Sequence, residues 1–331
     1  MRKRLWRVAA RSMLGIAVLV VVALVFGVFY EIRRERSLTE RYEPPGELVD
    51  IGSHRLHLYC EGSGEPPVLL EAGSGLAYSN WDAVQSGLSR VTRVCSYDRS
   101  GLGWSERGPR QPSANQATEE LAQLLESSGI AGPWVFVGHS LGGLYAQQFL
   151  NLHSENVAAL VLLDPGLEDM FERVPRLLEG FTPRPIESLS PLLTLLGLHR
   201  RSLPKVPESD PSWVARELHA TSKHLRRAAA EWWSMPTSTQ QLREARVDWG
   251  QTPVLVISAG IAGWPESWSQ RTKSEADRVR IAMAKELATR SSQGRYNVLE
   301  GSGHGIPWER PQEVIAAVDS IVQQLRQRSI R

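Results

Sequence analysis

The chain has 331 residues, 42% of them hydrophobic and 22% charged, with a formal net charge of +2. That balance belongs to a globular protein able to bury a core, and the length beyond the N-terminal segment suits one large α/β domain, with or without an insertion. Much of the basic excess lies in the first residues, and no basic patch interleaved with aromatics follows, so nucleic acid is not an expected partner.

Met13 to Tyr30 is an uncharged, strongly apolar run, just long enough to span a bilayer as a helix. Arg2, Lys3, Arg4, Arg7 and Arg11 precede it, while Arg33, Arg34, Arg36 and Arg41 follow among acids. The asymmetry favours an N-terminus in the cytosol and a domain on the far side of the membrane, whether periplasmic, extracellular or lumenal. A cleaved signal peptide is the rival, but its apolar core is usually shorter and no clean A-x-A site follows. The expected division is a cytoplasmic tail over 1–12, a signal-anchor over 13–30 with the lipid bilayer as its partner, a stalk over 31–47 containing Pro44-Pro45, and a domain over 48–331.

Strand-like and helix-like runs then alternate. Leu48 to Ile51 and His54 to Cys60 read as a hairpin around Gly52-Ser53. Val68 to Glu71 is a short buried strand, Asp82 to Leu88 a helix, Val91 to Tyr97 a strand, and Ala117 to Ser127 an amphipathic helix. Trp134 to Val137 is a strand and Leu144 to Leu150 a helix. Val157 to Leu163 is a fully apolar strand ending in Asp164-Pro165. From Gly166 to about Gly250 the pattern breaks. This stretch is rich in Leu, Pro, Arg and Trp, including Leu192, Leu193, Trp213, Trp232 and Trp233, and reads as a helical lid lying over a sheet. The β pattern resumes at Pro253 to Ser258, followed by a helix over Ala276 to Arg290, a strand over Tyr296 to Leu299 and a closing helix over Pro311 to Gln327. Such alternation predicts a mostly parallel sheet covered on both faces, with ligands bound beyond the carboxyl ends of its strands.

Cys60 and Cys95 end up in two strand-like runs. They form a cross-strand disulfide if those strands are neighbours and are two buried thiols otherwise. Neither has metal-ligand spacing to a second cysteine, so no zinc site is expected.

The most informative stretch is Gly138-His139-Ser140-Leu141-Gly142, between an apolar strand and a helix. Strand, G-x-S-x-G, helix is the context that forces a serine onto a strained, exposed turn at a helix N-terminus, where backbone N–H groups favour developing negative charge. Read blandly, it is a glycine-rich turn with a solvated serine. Three further stretches accompany it: Glu71-Ala72-Gly73-Ser74-Gly75, Asp98-Arg99-Ser100-Gly101-Leu102-Gly103-Trp104-Ser105, and Gly301-Ser302-Gly303-His304.

In this order the four motifs resemble the α/β-hydrolase family from roughly Leu48 to the C-terminus. The resemblance implies an eight-stranded, mostly parallel sheet with helices on both faces, a lid inserted after the sixth strand, and a Ser–acid–His triad in that chain order. Ser140 is then the nucleophile and His304 the base, an imidazole whose ordinary pKa lies near neutrality. The acid departs from the common pattern. No carboxylate follows the seventh strand until Glu266, so Asp164, at the end of the sixth, is preferred to Glu266. The oxyanion hole is expected from the Leu141 N–H with Gly73 or Ser74. Asp98 reads as structural, and Glu71 as a salt-bridge partner of Arg99.

No metal or organic cofactor is implied. The reading is a membrane-anchored serine hydrolase acting on a small ester-like substrate with an apolar part. A lipase or an aminopeptidase-like amidase is the alternative within the fold, and a non-catalytic binding protein the alternative outside enzymes.

Overall fold

The structure, a computed structural model, describes residues 2–181, 207–210 and 212–329. Leu192 and Leu193 of the expected lid lie outside the described residues. Two compact units divide the chain: Met1–Glu43 with Pro183–Arg226, and Pro44–Thr182 with Arg227–Arg331.

In the first unit, helix α1 runs over Arg2–Arg41. Its Arg11–Arg41 part is long and apolar enough to cross a membrane by length and composition. Most of the stretch expected as a stalk, 31–47, is therefore helical. No glycine or proline interrupts the chain between Gly27 and Pro44, so nothing stops the helix earlier. Arg34 pairs with Glu217, and the Tyr42 ring lies 5.7 Å from that of Trp213.

The second unit holds one eight-stranded sheet. Its strands are β1 (Glu47–Asp50), β2 (Arg55–Glu61), β3 (Val68–Glu71), β4 (Val94–Tyr97), β5 (Trp134–His139), β6 (Val157–Leu163), β7 (Val254–Ala259) and β8 (Gly294–Leu299). They stand in the order β1-β2-β4-β3-β5-β6-β7-β8. Only β2 runs against the others, pairing antiparallel with β1 and β4. In that register Cys60 faces Cys95, and the two form a disulfide.

The longer helices that follow α1 along the chain are α2 (Asp82–Leu88), α3 (Ala114–Ser127), α4 (Leu141–Leu152), α5 (Trp213–His219), α6 (Ser222–Glu244), α7 (Gln270–Ala288) and α8 (Pro311–Ser329); α5 and the start of α6 belong to the first unit and the others to the second. Between β6 and β7 the described residues contain helices and no strand.

Two apolar cores explain why the central strands carry no polar face. Leu121, Phe149 and Met283, from α3, α4 and α7, pack on one side with Phe136 and Leu160. Val84, Leu88, Val318 and Ile321, from α2 and α8, pack on the other with Val135 and Val161. Boundaries shift where local caps decide them. The strand expected from Val91 begins at Val94, because Val91 and Thr92 donate back to Leu88 O and finish the turn after α2. The helix expected from Ala276 begins at Gln270, capped by Ser269 Oγ accepting from Thr272 N–H.

Candidate active site

Strand β5 passes into α4 through Ser140, whose backbone sits at φ 55° and ψ −121°. A side-chain-bearing residue occupies that region only under constraint. Three backbone hydrogen bonds supply it: Ser140 N–H to Leu163 O at 3.1 Å, Leu144 N–H to Ser140 O at 3.2 Å and Gly166 N–H to Ser140 O at 2.8 Å. The flanking glycines are steric requirements. A Cβ on Gly142 would meet the Glu71 and Ala72 carbonyl oxygens at 2.3 and 2.4 Å, and one on Gly138 would sit 2.7 Å from the Gly143 Cα.

Three strand ends converge on this turn. Asp164 follows β6 with φ 41°, its N–H held by Ile257 O at 2.7 Å. His304 lies on the loop after β8. Glu309 clamps that loop by accepting from the N–H groups of Gly303 at 2.6 Å and Gly305 at 3.2 Å. His139 adds a brace, its Nε2–H donating to His304 O at 2.8 Å. Ser140 Oγ is 2.9 Å from His304 Nε2, and His304 Nδ1 is 2.7 Å from Asp164 Oδ2. The carboxylate fixes the tautomer. Nδ1–H donates to Asp164, which leaves Nε2 to accept from the serine hydroxyl. Burial alone would raise the Asp164 pKa, but the His304 hydrogen bond and the Arg280 charge hold it below the ordinary aspartate range. Asp164 is mostly buried while His304 is 51% exposed, so a reactant can reach the imidazole and the hydroxyl. Glu266, the other candidate acid, is exposed on the loop after β7, and the carboxylate on His304 is that of Asp164.

The loop after β3 lies against the serine. A Cβ on Gly73 would stand 3.4 Å from the Ser140 Cβ. Gly73 and Ser74 form a turn closed by Leu76 N–H to Gly73 O at 3.2 Å. Leu141 opens α4 on the other side of Ser140, with its N–H in the unpaired first turn of the helix. A buried guanidinium anchors the loop. Arg99 donates to Ala72 O at 2.6 Å and Gly73 O at 2.7 Å, and it pairs with Glu71 at 2.6 Å and Glu231 at 2.7 Å. The second oxygen of Glu231 accepts from Gly75 N–H at 2.9 Å. Asp98 is fully buried and accepts from Tyr78 N–H, Trp104 N–H and His57 Nδ1–H, which shapes the neighbouring turn.

Residues 68–318 match the Alpha/beta hydrolase family. The chain belongs to that family. An uncharacterized protein of Bacillus subtilis, YbdG, is 26% identical over 203 residues, which cover 60% of this chain and 61% of that one. Of the first curated relatives matched, the chain spans 20% of the length of one and 61% of the other. Among solved structures, the enol-lactonase of Burkholderia xenovorans LB400 superposes with a TM-score of 0.58 at 22% identity, covering 84% of this chain and all of that one. A membrane phospholipase A, a bacterial virulence factor, superposes with a TM-score of 0.55 at 19% identity, covering 98% of this chain and 99% of that one. At these identities the superpositions establish the fold.

Around this α/β-hydrolase centre stand residues that the motifs did not indicate. A cavity of about 330 Å³ opens beside Ser140, walled mainly by Leu167, Met170, Leu177, Met235, Trp264 and Met283. Trp232 also lines it, whereas Trp213 packs against Tyr42. Arg280, Glu231, Glu309 and His139 each hold part of the site. Of these, only His139 sits inside a motif. Burial, reinforced by the His304 charge, pulls the His139 pKa down to about 4, so it serves as a neutral donor.

Proposed function

We propose that this chain is a membrane-anchored serine hydrolase that cleaves carboxylic ester bonds through an acyl-enzyme on Ser140. The observation that carries the reading is the continuous hydrogen-bonded chain Ser140–His304–Asp164, set on a strained turn beside an apolar cavity.

In the first step Ser140 Oγ attacks the ester carbonyl and His304 Nε2 takes the hydroxyl proton. Asp164 stabilises the imidazolium and keeps it oriented. The tetrahedral oxyanion is met by the Leu141 N–H and by an N–H from Gly73 or Ser74, at a helix N-terminus. Collapse expels the alcohol, which receives the proton from His304. Water then attacks the acyl-enzyme, its proton passing to His304 and back to Ser140 as the carboxylic acid leaves. The cavity wall fits an alkyl or acyl chain. The apolar helix over 13–30 would anchor the chain, with its basic N-terminus in the cytosol and the domain beyond the membrane. The likeness to a membrane phospholipase A extends over nearly the whole chain, which favours a lipid ester as a second, narrower reading.

The test uses the full chain in detergent with p-nitrophenyl esters of increasing acyl length. The reading predicts turnover that vanishes in Ser140→Ala. Each added methylene placed in the cavity should raise kcat/KM about fourfold, from about 0.8 kcal/mol per buried CH₂, until the wall is reached. Asp164→Asn should lose about 10²-fold or more while Glu266→Gln stays near wild type. Turnover that survives in Ser140→Ala would remove the nucleophile assignment. Folded protein with neither turnover nor serine labelling would instead make this a binding protein.

A further inference from the structure

We propose that Arg280 is a positioning residue for this reaction: it locks one oxygen of Asp164 so that the other faces His304, and its charge offsets the carboxylate's beside the imidazole. The inference rests on the Ser140–His304–Asp164 reading above.

The geometry begins at the acid's unusual origin. Asp164 follows β6, so the end of β7, where the family's acid commonly stands, is free to act on it from the side. Asp164 Oδ1 accepts from Ala259 N–H at 3.1 Å and from Arg280 Nη1 at 2.7 Å. A carboxylate is planar, so fixing Oδ1 by two donors directs Oδ2, which meets His304 Nδ1 at 2.7 Å. Arg280 is itself fixed. Its Nη2 donates to Ala259 O at 2.9 Å and to Asp277 Oδ1 at 3.3 Å, while Nε reaches the same Asp277 oxygen at 3.4 Å. One helix, α7, thus ties the acid to the end of β7 through a single guanidinium. Only 15% of that side chain is exposed, and it forms part of the cavity wall, where solvent screens its charge little.

The charges facing His304 come from several elements. Asp164 follows β6, and Arg280 and Asp277 stand on α7. Buried His139 ends β5 with its ring 4.8 Å from that of His304, and Glu309 clamps the histidine loop through Gly303 and Gly305. Asp164 and Arg280 thus set opposite charges side by side next to the imidazole. Withdrawing the positive charge leaves the carboxylate uncompensated, so the imidazole holds its proton to higher pH and the acidic limb of kcat/KM moves up.

The experiment measures kcat, KM and the acidic limb of kcat/KM for the full chain with a short p-nitrophenyl ester. Arg280→Gln keeps a donor for Asp164 but removes the charge. It should move the limb up by about one pH unit and lower kcat more than it changes KM. Arg280→Lys keeps the charge and loses the fork, so its limb should stay in place while kcat falls. Asp277→Asn frees the whole guanidinium charge for Asp164, so its limb should move slightly down. Asp277 is partly exposed, and that variant decides the matter if Arg280→Gln does not fold. Limbs that coincide across the variants, with only KM or melting temperature changed, would reduce Arg280 to a wall residue and overturn the proposal. A wild-type chain that no fluorophosphonate labels would instead overturn the underlying hydrolase reading.

Discussion

Replacing Arg99 by Met removes a side chain with five hydrogen bonds to buried acceptors: two to Glu231, one to Glu71 and two to the carbonyls of Ala72 and Gly73. Glu71 and Glu231 are fully buried, and Arg99 is nearly so. Breaking a buried ion pair from one side costs about 3–5 kcal/mol, because the remaining charge has no partner. For a domain of this size each kcal/mol lowers Tm by about 2–4 °C, so Arg99→Met should melt roughly 6–20 °C below wild type. The pH dependence follows from Glu71. Burial already pushes its carboxyl above the usual range, against the charge and hydrogen bond of Arg99 and the hydrogen bond of Tyr97. Losing Arg99 pushes it further. A carboxyl raised in the folded state is most favourable to folding below its unfolded pKa of about 4.3, and that advantage is lost as pH rises through the folded value. The melting deficit should therefore be small near pH 5 and grow toward pH 8. Below its melting temperature the variant should also lose about 10²–10³ in kcat, the usual cost of a misplaced oxyanion donor, since Ala72 and Gly73 lose their anchor. Thermal melts at the two pH values, with ester turnover at 20 °C, measure both effects. A variant that melts with wild type, or whose deficit shrinks with rising pH, would refute the reasoning.

Two further predictions concern stability. His139 is buried and its pKa is pulled down to about 4, so the unfolded chain binds a proton that the folded chain excludes between about pH 6.5 and 4. Of the change wild type shows across that window on acidification, His139 should account for a loss of about 3 kcal/mol, so His139→Gln should lose measurably less in urea melts; parallel losses would contradict the assignment. The Cys60–Cys95 disulfide closes a sequence separation of 35, for which chain entropy gives about 4 kcal/mol. The Cys60→Ser/Cys95→Ser double variant should show a lower urea midpoint, worth about 2–4 kcal/mol, and an unchanged midpoint would deny the bond a stabilising role.

Much of this was legible in the sequence, for identifiable reasons. The central strands are short, mostly apolar runs, because both faces of the sheet are covered, and the wholly apolar Val157 to Leu163 reads as a strand on that ground alone. The turn at Ser140 declares itself through Gly138 and Gly142, whose missing side chains are required by neighbouring backbone. The Glu71–Arg99 pair was readable because Glu71 ends β3 and Arg99 follows the end of β4, its neighbour in the sheet. Glu231 and Arg280 were not. They approach the site from helices 132 and 116 residues away from their partners in the chain, and on those helices a Glu or an Arg has the pattern of any solvated charge. The helical continuation to Arg41 was missed because a run of Arg and Glu reads equally as a solvated stalk and as a charged helix. The beginning of β4 depended on two backbone bonds that close the turn after α2, and that of α7 on the Ser269 cap, neither of which apolar periodicity reports.

The most direct measurement of the central claim is intact-mass analysis of the full chain after treatment with a fluorophosphonate, followed by mapping of the adduct. The account predicts one adduct per chain, on Ser140, absent in Ser140→Ala and formed far more slowly in His304→Ala. An adduct on any other residue, or a labelling rate indifferent to His304, would contradict it.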